Sequence, residues 1–144
     1  MRASIRGSLP IAAALLLVAL HAPALAAQAS DASIPVAGAE PFLGNWTVSV
    51  TGDTGPVTMQ VALTDNAGRM AARISGNTEG VEGRVVQRIA KTQDGALRVT
   101  YALTVQGQAV PAVLTLTPQG ATTAATLDLA GGQLMLRGDA KKNP

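Results

Sequence analysis

Cysteine is missing from all 144 residues, and histidine occurs once, as His21. Without cysteine there is no disulfide, no thiolate nucleophile and no lipidated N-terminal cysteine. His21 falls in a stretch with the marks of a secretory signal: Arg2 and Arg6, then the apolar run "IAAALLLVAL", then "APALAAQAS" with small-x-small sites ending at Ala26 or Ala29. Residues 1–29 are therefore read as a signal peptide, and the protein as exported to the periplasm or the extracellular space. Ile11 to Leu20 is shorter than the roughly 20 apolar residues of a spanning helix, so the mature form is read without a membrane span. The mature chain then has neither histidine nor cysteine. That excludes Ser-His-Asp and Cys-His catalysis and ordinary zinc, copper or haem ligation.

Charge is also scarce, at 14% of residues. Losing Arg2 and Arg6 from the 11 Lys+Arg leaves 9 against 9 Asp+Glu, so the net charge falls from +2 to zero. The high sequence pI of 9.5 therefore reflects the leader in part and gives no ground for a nucleic-acid partner. A catalytic carboxylate pair would need two acids at a set separation. Asp53, Asp65, Glu79 and Asp94 instead sit in turn-like stretches. Asp128 lies in a strand pattern with outward parity. The chain is read as a non-enzyme with no cofactor and no metal.

What the chain does have is alternation. Residues 30–41, "SDASIPVAGAEP", are Ala, Ser and Pro without period and are read as a flexible leader. From Phe42 apolar and polar residues alternate: Trp46, Val48, Val50; Val57, Met59, Val61, Leu63; Met70, Ala72, Ile74. The same pattern continues through Leu97, Val99, Tyr101, Leu103, Val105 and through Val110, Ala112, Leu114, Leu116. Seven Gly/Asn/Asp/Pro clusters, from "TGDTG" to "LAGGQ", break these runs about every dozen residues, the spacing of an antiparallel meander. Seven turns imply eight strands, and no segment has the period or length of a crossover helix. The expected fold is all-β, an eight-stranded antiparallel up-and-down barrel over residues 42–138, with a C-terminal tail at 139–144. The strands read as mostly shorter than the roughly 9 to 11 residues that cross a membrane, and with 2% aromatics there are no interfacial girdles. The apolar row should point inward.

"GNWTV", a G-x-W at the start of the first strand of such a meander, resembles the lipocalin-like (calycin) barrels. "LTDNAGRMAARISGNTEGVEGRVV" resembles small exported bacterial β-domains. The resemblance implies that Trp46 plugs one end of the barrel and that a late-strand arginine, here Arg137, covers it. Parity opposes the second role: with Leu134 and Leu136 inward, Arg137 faces out unless Gly131-Gly132 forms a bulge. An ordinary core position is the other reading of Trp46. Two uses are expected, the first from a barrel lined by Val, Leu, Met and Ala, the second from the resemblance. One is a binding module holding a small apolar ligand. The other is an interaction or inhibitor-type protein acting through its surface or its N-terminal leader.

Five of the nine mature positive charges fall close together in sequence: Arg69, Arg73, Arg84, Arg88 and Arg98. A turn centred between Thr78 and Glu79 would set Arg73 opposite Arg84 and Arg69 opposite Arg88. A turn near Gln93 or Asp94 would bring Arg98 alongside Arg88. Opposed like charges cost a sheet some tenths of a kcal/mol each, roughly. An outer arginine face for an anionic surface or an acidic protein partner is one expectation. A register that sets Glu82 against Arg73, making the face an ordinary solvated one, is the other.

Overall fold

The computed structural model of the chain describes residues 33–53, 55–76 and 78–144. The signal-peptide reading of 1–29 lies outside them. The described residues are all-β apart from one 3-10 turn, Glu40–Phe42. Eight strands follow: β1 (Gly44–Gly52), β2 (Gly55–Asn66), β3 (Arg69–Ser75), β4 (Val81–Lys91), β5 (Leu97–Val105), β6 (Gln108–Gln119), β7 (Thr122–Leu129) and β8 (Leu134–Lys142). They form one antiparallel sheet in the order β3-β2-β1-β8-β7-β6-β5-β4, an up-and-down meander curled into a nearly closed barrel.

Period-2 patterning sets the inside. Trp46, Val48 and Val50 of β1 lie opposite Val61, Met59 and Val57 of β2, and Val99, Tyr101 and Leu103 of β5 opposite Leu114, Ala112 and Val110 of β6. These positions form one apolar core, with Val57 and Val110 partly buried at its margin, while Thr47, Ser49, Thr58, Gln60, Arg98, Thr115, Thr126 and Arg137 occupy the outward parity. Tight turns hold the register. In the β2–β3 hairpin Ala67 and Gly68 have φ of 53° and 81°, as a two-residue primed turn requires, and the Asp65 carboxylate accepts from Gly68 N–H at 2.7 Å.

Three boundaries differ from the sequence reading. Strands run longer than expected, to 12 residues in β2 and β6 and 11 in β4, because turn-proximal polar residues stay on the ladder. Residues 139–142, read as tail, continue β8, with Ala140 opposite Val48 and Lys142 opposite Trp46. From Ser33 the segment read as a flexible leader packs on the barrel. Pro35 bridges Arg69, Val36 N–H donates to Gly68 O at 3.0 Å, and Met70 N–H donates to Ile34 O at 2.9 Å. Val36, Ala39 and Phe42 are buried. Apolar residues scattered through an Ala/Pro-rich stretch carry no strand period, yet here they cover one end of the core.

Candidate functional site

Trp46 sits at the base of the barrel, 6% exposed, with its indole N–H donating to Phe42 O at 2.7 Å. The cation over its ring is Lys142, Nζ 5.8 Å from the centroid and 3.3 Å from Pro41 O. Arg137 does not cover it. That residue lies opposite Thr51 and Thr126 on the outer face, and its Nη2 is 3.7 Å from Met135 Sδ. Leu136 and Gly138 hold the inward parity, so the residue between them must point out, and the strand extends far enough for Lys142 to reach the base instead. A second lysine of inward parity, Lys91, donates to Gly38 O on the same cap.

The five arginines do not form one face. β3 and β4 stand at the two ends of the sheet order and do not pair, so neither the Arg73–Arg84 and Arg69–Arg88 oppositions nor the Glu82–Arg73 alternative forms. Arg69 and Arg73 lie opposite Asn66 and Ala62, outward on β3, and Arg69 donates to Ser33. Arg88 lies opposite Thr100, with Arg98 on the same outer face opposite Ala90. Arg84 lies opposite Leu103, whose parity is inward. The physical reason is a pair of bulges. Glu82 and Gln87 have no partners on β5, and each extra residue reverses the parity of the strand residues beyond it. Gln87 thus puts Arg84 and Arg88 on opposite faces and leaves Val85 63% exposed.

Two recesses result. The first is the seam between β3 and β4, a groove of about 360 Å³ over Met70, Ala71, Ala72, Val86 and Ile89, with Ser33 and Arg69 at one end. The second lies inside the upper mouth of the barrel. It is only about 50 Å³, lined by Thr78, Arg84 and Tyr101 and by Met59, Leu103 and Leu127 among other apolar side chains. Arg84 is half-buried, and its Nη2 is 3.3 Å from Thr78 Oγ1. Burial pushes the Tyr101 phenol up from 10.0 to about 12, with the Arg84 charge pulling part of the way back.

That shift has a stability consequence. The unfolded chain releases the Tyr101 proton near pH 10 while the folded chain holds it to about pH 12. The contribution is full below about pH 10 and lost as pH rises through about 12, about 2–3 kcal/mol in all. Urea unfolding at pH 9 and pH 11.5 is expected to show this loss for the wild type. Tyr101→Phe should lack that component. An equal fall in both proteins would refute it.

The acids do local work. Asp128 accepts from Gly132 N–H at 2.6 Å. Asp94 accepts from the Thr92 hydroxyl, which holds its carboxyl below the usual range. No group of three or more His, Cys, Asp or Glu placed to hold a metal occurs among the described residues. Arg84's inward turn and Lys142's place over Trp46 were missed from sequence. Neither carries a mark in the sequence: the first is set by the Gln87 bulge and the second by β1 lying beside β8. Comparison with family models, with curated proteins and with solved structures finds no match for this chain.

Proposed function

We propose that this chain is an exported, non-enzymatic binding module of lipocalin-like type that takes an extended, acidic segment of a partner protein into its β3–β4 seam. The seam carries the reading, since among the described residues β3 and β4 do not pair across it and the leader covers only one end of the β3 edge. Among the described residues β4 has no ladder partner on its outer edge, and the backbone donors and acceptors of such an edge are a template for strand addition. The groove floor, Met70, Ala72, Val86 and Ile89, suits the inward side chains of an extended segment. Arg73 of β3 and Arg88 of β4 are outward and exposed on the two strands that flank the groove, beyond its lining residues, so acidic residues at the outward positions of a bound segment would face positive charge. A barrel-held apolar ligand is less well supported, because the interior recess of about 50 Å³ falls below the roughly 300–1,000 Å³ of small-molecule pockets.

The probe is a capped heptapeptide alternating Asp and Val, compared with its Lys/Val counterpart. The acidic peptide is expected to shift the backbone amide resonances of Val85 to Ile89, less so at high salt, and the Arg73→Glu/Arg88→Glu double variant should prefer the basic peptide. Equal response to both peptides, or shifts confined to other strands, would overturn the reading.

A further inference from the structure

Arg84 and Tyr101 line one recess of an apolar barrel mouth, the first a cation with no carboxylate partner among the described residues, the second a buried hydroxyl bonded to a thioether. Arg84 brings five donors into a mouth walled by leucines, and its one hydrogen bond among the described residues is to Thr78 Oγ1 at 3.3 Å. No carboxylate among the described residues neutralises it. A half-buried guanidinium with no carboxylate beside it gains from an anion that binds through its planar fork. Tyr101 is 1% exposed, and among the described residues its hydroxyl has Met59 Sδ at 4.0 Å as sole partner. Thioether sulfur is a weak acceptor, and that distance is more than 1 Å beyond the roughly 2.7–2.8 Å of an ordinary O–H···O bond. A buried phenol so poorly served has capacity for a better acceptor. Both groups border the same recess.

We propose that the upper mouth of the barrel binds a short-chain aliphatic carboxylate. The carboxylate accepts from Arg84, Thr78 and Tyr101, and the alkyl chain lies against Leu103, Leu127 and Leu129. Size sets the class. A recess of about 50 Å³ is several times the roughly 10–15 Å³ minimum for one water but far too small for a long acyl chain. Chemistry sets the charge: Arg84 is a fixed cation and both hydroxyls can donate, so an ammonium meets like charge and an alcohol forgoes the ionic pairing. The proposal is independent of the seam, since Arg84 faces the interior and the groove lies outside between β3 and β4.

Tyr101 is the one tyrosine of the chain and Trp46 lies at the opposite end, so near-ultraviolet tyrosine signals report this recess alone. The protein is titrated at neutral pH with butyrate, 1-butanol, butylamine and inorganic phosphate. Saturable perturbation of the Tyr101 band by butyrate, about tenfold or more tighter than by butanol, supports the proposal, as does reduction of butyrate binding to the butanol level in Arg84→Gln. Tyr101→Phe, followed by the Arg84 side-chain NH resonance, should weaken butyrate severalfold. Equal binding of butyrate and butanol, binding unchanged in Arg84→Gln, or no saturable response overturns it. Phosphate binding as tightly as butyrate overturns the alkyl part, leaving a simple anion site.

Discussion

Replacing Trp46 by alanine is expected to cost about 3 to 5 kcal/mol, the range of large-to-small changes at packed aromatic positions. The ring lies between β1 and the 3-10 turn and is 6% exposed. Its removal opens a cavity at the base, strips Phe42 O of its donor, and takes the stacking surface from under Lys142. The surrounding cap has little with which to collapse, because Phe42 is the one other large ring there and Val36 and Ala39 are small. Urea unfolding followed by far-ultraviolet circular dichroism measures the loss without needing the missing fluorophore. Trp46→Phe separates the contributions: it keeps most of the apolar surface and loses the indole donor, so about 1–2 kcal/mol is expected. A loss below about 1 kcal/mol in Trp46→Ala would mean that the base cap is not held by this ring.

The meander was legible because its signals are local. Alternation from Trp46 to Val50 and from Leu97 to Val105 needs no knowledge of neighbours, since side chains on a strand change face at every residue. The seven Gly-rich breaks were legible for the same reason, and the Ala67-Gly68 turn lies inside one of them, "TDNAG". Position along the strands was harder. Carrying β8 on to Lys142 depends on β1 lying beside it, which is a property of barrel closure and not of "GDAKK" itself.

Two features break up the expected arginine face: β3 and β4 do not pair, and a bulge divides Arg84 from Arg88. "VEGRVVQRIAK" holds Arg84 and Arg88 four apart, so an unbroken strand gives them one parity. The unpaired Gln87 divides them, and nothing in its composition marks it as the extra residue. The same irregularity lies on the strand that ends the sheet, where among the described residues no ladder on the far side enforces regular pleating. One edge strand thus supplies both recesses: its inward Arg84 reaches the mouth, and its Val86 and Ile89 floor the seam. The leader's docking was hidden for a related reason. Pro35 and Val36 pair along the free edge of β3, a partner distant in sequence and without a turn to announce it.

Substituting valine for Gly138 is expected to cost about 3 kcal/mol or more, at or above the upper end of overpacking changes. Gly138 lies in β8 between Val50 on one side and Ala125 on the other, at inward parity. A Cβ built there overlaps the Ser49 carbonyl oxygen and comes within 2.9 Å of Val50 Cα. Those are backbone atoms, so no side-chain rotamer can relieve the clash, and β1 must move away from β8 at the centre of the sheet. Gly52 makes the informative contrast. Its added Cβ meets chiefly the end of the Leu136 side chain, which can rotate, so Gly52→Ala should cost about 1 kcal/mol. Chemical denaturation of Gly52→Ala, Gly138→Ala and Gly138→Val is the test, with the order of loss expected to be the order named. Should Gly138→Val unfold at the wild-type denaturant midpoint, β1 and β8 do not approach as closely as the ladder between them requires, and the barrel is open there as well as at the β3–β4 seam.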